Sequence, residues 1–213
     1  MRKLALLLAT SALSLGTAAN AASIVGLVNT GVNPGTPGAA DNSWTIGGGP
    51  AYAGTPINGA WLANSGVSQW LTPNPDGNVS LDPSLPGIYQ YSLTFDLTGF
   101  NPASASFSGR FSVDNLVDNI TLNGTPITGS GGSFNIWTAF SGSSGFNAGQ
   151  NTLTFNVRNL AQNGGNPSGL RVEFLESNVT AVPEPASWAM MIMGFGLVGA
   201  AARRRQNVRV SFA

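Results

Sequence analysis

The sequence has no cysteine and no histidine. The first absence excludes a disulfide framework and any thiolate metal site. The second removes the usual general base near neutral pH and the commonest metal ligand. The single lysine is Lys3, so the body of the chain has no amine for Schiff-base chemistry. Charge is scarce as well, at 8% of residues. Catalysis would rest on carboxylates and hydroxyls alone, and no G-x-S-x-G, S-x-x-K or H-E-x-x-H element occurs. A glycosidase needs two carboxylates facing across a cleft, whereas Asp96, Glu173 and Glu176 fall on polar faces or ends of inferred strands and read as solvated surface. The sequence points away from an enzyme.

The formal net charge of zero conceals an asymmetry. Arg2, Lys3, Arg203, Arg204, Arg205 and Arg209 lie at the ends, while residues 23–180 hold three arginines against eight carboxylates. An acidic, lysine-free body is a poor electrostatic match for nucleic acid or anionic lipid. At 213 residues there is room for one domain between two unusual ends. Met1-Arg2-Lys3, the apolar run after it and Ala19-Asn20-Ala21 predict a signal peptide over residues 1–21.

Residues 22–180 read as strands. In GIYQYSLTFDL, Tyr89, Tyr91, Leu93, Phe95 and Leu97 share one face; Ala105, Phe107, Gly109, Phe111 and Val113 do so in the next segment. Leu153, Phe155 and Val157, then Leu170, Val172 and Phe174, repeat the pattern, which suits antiparallel sheets with one wet face. Asn123-Gly124 predicts a two-residue hairpin turn. About 8–9 strands are expected, in an all-β jelly-roll sandwich closed by pairing strands from both ends of the domain. The order of YxYxxxFDL, DNLVDNITLNG, FNAGQNTLTFNVxN and NPxGLxV resembles galactose-binding-like β-sandwich modules over roughly residues 43–177. Such modules accompany carbohydrate-active enzymes and surface proteins.

Candidate sites compete with structural readings. Trp61 and Trp137 sit in Gly/Ser/Asn-rich surroundings and are the candidates for stacking on a sugar ring, while Trp70 reads as core. Asp114 and Asp118 offer oxygen ligands for calcium, but their spacing does not match a D-x-[DN]-x-[DN]-G loop. A polar turn explains them equally. No other cofactor is implied. Asn-x-Ser/Thr at Asn78, Asn119, Asn123 and Asn178 reads as turn composition.

The tail, residues 181–213, is the most specific segment. Gly194-Phe195-Gly196-Leu197-Val198-Gly199 fits G-x-G-x-x-G, but no acidic residue follows, so a dinucleotide turn is excluded. The uncharged run Pro185–Ala202 before Arg203-Arg204-Arg205 instead predicts one C-terminal transmembrane helix, the arginines fixing its topology. PEPASWAMMIMGFGLVGAAARRR resembles the PEP-CTERM sorting signal, with Pro183, Glu184, Pro185, Trp188 and Ala189 matching its head. That resemblance implies a Gram-negative, exopolysaccharide-producing bacterium, transient inner-membrane insertion, and an exosortase-type membrane processing enzyme as partner. It also implies delivery to the cell surface or extracellular matrix. The expected role there is structural or binding; a carbohydrate-binding module with a defined sugar site, or a permanently membrane-anchored surface protein, are the alternatives.

Overall fold

The computed structural model describes residues 21–32, 36–53, 57–182 and 187–205. The expected signal peptide and its Ala19-Asn20-Ala21 site fall almost wholly outside these residues. Eleven strands follow one another: β1 Ala21–Ala22, β2 Ala39–Ile46, β3 Gly49–Ala53, β4 Leu71–Thr72, β5 Gly87–Asp96, β6 Phe100–Asp114, β7 Leu116–Leu122, β8 Thr125–Ile127, β9 Thr138–Gly142, β10 Gln150–Asn159 and β11 Gly169–Ala181. A helix, α1, spans Ser187–Arg205. The strands β1–β11 belong to one compact unit, Ala21–Val182.

Alternation decides which way each strand faces. Tyr91, Leu93 and Phe95 of β5, Phe107, Phe111 and Val113 of β6, and Leu153, Phe155 and Val157 of β10 are all buried. Gln90, Thr94 and Asp96 between the β5 core positions are exposed. Every strand pair is antiparallel, in the order β8-β7-β10-β5-β2-β3-β4-β11-β6-β9 with β1 on β11. The all-β expectation holds, but the two separate sheets do not appear. The β2–β3–β4 run carries hydrogen bonding from one half to the other, giving a single sheet that folds over on itself. Three of the strands, β1, β4 and β8, are only two or three residues long, too short to show as alternation, which is why the expected count of 8–9 fell below eleven. Ser141 N–H donates to the Thr128 carbonyl at 3.1 Å and nearly closes the sheet between β8 and β9.

Two local features follow from residue type. Asn123 (φ 52°) and Gly124 (φ 82°) join β7 to β8 with Leu122 opposite Thr125, the positive-φ pair that a type I′ turn requires. Gly109 of β6 gives room for packing: a Cβ there would come within 2.5 Å of the Glu173 carbonyl and the Phe140 ring. Around that gap the core is aromatic, with Phe140 5.2 Å from Phe155 and 5.6 Å from Phe174, both edge-on. The unit's two ends do pair, Ala21 with Thr180 and Ala22 with Val179.

The expected transmembrane helix is corrected. Among the described residues no helix is long and apolar enough to cross a membrane. Arg203–Arg205 occupy the last turn of helix α1. Its uncharged part, Ser187 to Ala202, spans only about 24 Å at ~1.5 Å per residue, short of a ~30 Å hydrocarbon core. Glycines at 194, 196 and 199 dilute its hydropathy further. Arg203 and Arg204 complement the negative end of the helix dipole.

Candidate functional site

The outer side of β6 and β11 is where polar residues depart from expectation. Ser112, Asp114, Arg171 and Glu173 alternate with core residues, so they lie on the non-core side, and all four are buried. Two loops cover them. The segment leading into β4 brings Trp61 and Trp70 together with ring centroids 4.3 Å apart. Trp70 Nε1–H donates to the Leu62 carbonyl at 2.7 Å, and Trp61 Nε1–H to Asp114 Oδ2 at 2.8 Å. The loop before β9 contributes Ser133, whose carbonyl accepts from Ser112 Oγ at 2.8 Å.

Glu173 is the hub beneath this cover. Its Oε2 accepts from Arg110 Nε at 2.8 Å and Nη2 at 2.6 Å; its Oε1 accepts from Ser68 Oγ at 2.7 Å. Arg171 Nη2 stands 3.4 Å from the same Oε1, and its other donors reach Ser68 Oγ, Ser65 Oγ and the Ala63 carbonyl. The solvated-surface reading of Glu173 is therefore wrong: only 4% of the residue is exposed. Burial pushes its carboxyl up, but the Ser68 and Arg110 hydrogen bonds and both guanidiniums outweigh that and hold it below the ordinary range. Asp96 and Glu176 are exposed.

The sequence-derived sugar contacts fare differently. Trp61 is 5% exposed, with Trp70 against its ring and Asp114 on its N–H, so it has no open face for stacking. Trp137 is half-buried, and its ring is engaged by the Arg110 guanidinium at 4.4 Å and that of Arg171 at 4.9 Å. Trp70 is fully buried as expected, but against Trp61 in the loop that covers β6 and β11 and not in the main core.

The calcium candidates are not brought together. Asp114 ends β6 with its carboxylate on Trp61 and on Asn115 Nδ2. Asp118 lies in β7 and pairs with Arg158, whose Nη2 is 2.7 Å from Oδ2. Among the described residues no three metal-ligating side chains cluster.

Asp114 and Glu173 set opposite pH dependences. Burial raises the Asp114 carboxyl to about 6, against the opposing Trp61 hydrogen bond. A raised folded pKa gives stability that is full below the unfolded pKa near 3.8 and is lost as pH rises through 6. The depressed Glu173 gives stability that is present above its unfolded pKa of 4.5 and is lost as pH falls through its folded value. Stability measured by urea unfolding from pH 3 to 8 should therefore show its upper limb as a fall between the unfolded Asp114 value of 3.8 and about 6. The decline toward pH 7 should be about 1–3 kcal/mol, discounting for solvent screening. Asp114→Asn should flatten that upper limb; an unchanged limb would remove Asp114 as its cause.

In the tail, Pro183, Glu184 and Pro185 lie outside the described residues. Trp188 and Ala189 fall in the first turn of α1, and Ala189 is exposed. Gly194 to Gly199 lie inside the helix, not at a strand-to-helix turn, in keeping with the exclusion of a dinucleotide site. Ile192, Phe195, Leu197 and Val198 are all exposed, and no charge interrupts the helix surface before Arg203. The family model for the PEP-CTERM protein-sorting motif matches residues 181–205.

The tail carries a PEP-CTERM sorting motif. The match opens on Ala181, the last residue of β11. Pro183, Glu184, Pro185, Trp188, Ala189 and Arg203–Arg205 all lie within it. Nothing among curated proteins matches the chain. The sorting motif supports exosortase-dependent export to the cell surface, with processing by an exosortase-type membrane enzyme.

Sequence reasoning missed the Ser68–Arg171–Glu173 cluster. Its signal was present: two tryptophans and three Ser/Asn residues within Trp61–Trp70 are more than a solvated loop needs.

Proposed function

We propose that this is an exported, non-enzymatic protein of the cell surface or extracellular matrix, associated there with exopolysaccharide in a structural or binding role. The sorting motif over residues 181–205 is the observation that carries the reading. Processing near Pro183-Glu184-Pro185 leaves the tail behind and releases or attaches the β unit outside. The antiparallel, folded-over sheet supports a galactose-binding-like module as the exported cargo. Its acidic, lysine-free surface suits a neutral polysaccharide better than an anionic one.

Pro183/Glu184/Pro185→Ala should leave unprocessed protein in the membrane fraction, with surface delivery reduced at least about tenfold. Cell fractionation and surface immunolabelling read the outcome. Normal delivery of the triple variant would show that the motif is not the address.

A further inference from the structure

The end of β11 is joined to the sheet differently from the rest of the strand. β11 keeps an unbroken register with β6 from Gly169 to Phe174 and again from Glu176 to Asn178. The register then jumps. Asn178 lies opposite Ser106 and Thr180 opposite Asn101, so Pro102 to Ala105 stand against Val179 alone. Such a bulge leaves ladder groups without backbone partners. One side chain repairs the break: Ser104 Oγ accepts from Thr180 N–H at 2.9 Å and from Thr180 Oγ1 at 2.8 Å, and donates to the Asn101 carbonyl at 2.7 Å.

Past the bulge, Thr180, Ala181 and Val182 remain in the sheet. Thr180 pairs with Ala21 of β1 as well as with Asn101, Ala181 lies opposite Phe100, and Val182 N–H donates to the Gly99 carbonyl at 3.0 Å. None of these side chains is buried, whereas Val179 just before them is 1% exposed and belongs to the core. The end piece is therefore held by main-chain bonds and Ser104, not by apolar packing, and can open without unzipping the core. Pro183-Glu184-Pro185 comes next in the sequence, and the sorting-motif match begins at Ala181, inside the end piece. Sheet and processing signal share Ala181 and Val182.

We propose that Thr180–Val182 is a latch that must leave the sheet before the chain is processed near Pro183-Glu184-Pro185, and that Ser104 sets how often it does. An enzyme that takes its substrate as an extended segment uses the same backbone N–H and C=O groups that the sheet occupies. Where a short end opens and closes faster than it is cut, the rate of cutting follows the population of the open form. The bulge keeps that opening local. The inference rests on the processing part of the proposed function and names what regulates it.

Pulse–chase of the full chain in the exporting cell, with intact and processed forms separated by size, reads the rate. Ser104→Ala should speed processing about 2–10-fold, the worth of one hydrogen bond. Ser104→Thr, which keeps the hydroxyl, should stay near the wild-type rate. Asn101→Cys with Thr180→Cys puts two thiols on directly opposed residues of a chain that has no other cysteine, at a spacing a disulfide can bridge. Cross-linked, that variant should be processed at least about tenfold more slowly than when kept reduced. Phe140→Leu, which weakens the aromatic core instead, should leave the rate unchanged. Equal rates for the cross-linked and reduced forms, no acceleration by Ser104→Ala, or rates that simply rank with urea stability would overturn the latch and leave processing in place. A chain that is never processed in any form would overturn the processing reading itself, and the latch with it.

Discussion

Glu173→Ala is expected to destabilise the folded unit by about 3–5 kcal/mol, the range for removing one partner of a buried ion pair. The cost comes from what is left behind. Arg171 is 4% exposed and would keep its charge with Ser65, Ser68, the Ala63 carbonyl and the Trp137 ring as partners and no carboxylate. Arg110 would lose its double hydrogen bond, though its side chain, 41% exposed, can turn to water. Ser68 Oγ would lose its acceptor. Glu173→Gln keeps the shape and some hydrogen bonding and should cost less. Replacing both partners, Arg171→Met with Glu173→Leu, should recover part of the loss, because exchanging a buried pair for apolar side chains is often near neutral. Urea unfolding reads all three. A loss below about 1 kcal/mol for Glu173→Ala would mean that the carboxylate is solvated after all.

Phe140→Ala should cost about 3–5 kcal/mol, for a different reason. Phe140 is 2% exposed and lies within 6.4 Å, centroid to centroid, of Phe107, Phe111, Phe155 and Phe174. Its ring fills the space left by the missing side chain of Gly109. Truncation would therefore open a cavity lined by rigid rings and a glycine, with little that can collapse into it. Phe140→Leu keeps most of the volume and should cost about 1–2 kcal/mol. Thermal unfolding compared across the two variants checks this. Equal losses would show that the site repacks freely.

These two residues mark where the sequence was legible and where it was not. The faces of β5, β6 and β10 could be read directly because a period of two assigns every second residue to the core, and Asn123-Gly124 announced its own turn. Glu173 obeyed the same alternation, yet the inference that the non-core side is wet failed there. A loop some hundred residues earlier covers that side, and no local pattern encodes such coverage. Trp61 was misassigned for the same reason, since its partners, Trp70 and Asp114, are brought in by tertiary structure. The two-residue strands β1 and β4 exist only as pairing partners, β1 of β11 and β4 of β3 and β11, so they carry no pattern of their own. The tail was the opposite case. Its motif is a linear signal, and Pro183, Glu184, Pro185, Trp188 and Ala189 state it without any fold. Only the span was overread there, because counting uncharged residues ignored the hydropathy that Gly194, Gly196 and Gly199 take away.

The mass of the secreted protein tests the central claim most directly. If the sorting motif is processed, intact-mass spectrometry of protein recovered from the cell surface or medium should show a chain ending near Pro183-Glu184-Pro185, without α1 and without Arg203–Arg205. A mature protein that retains those arginines would contradict the account.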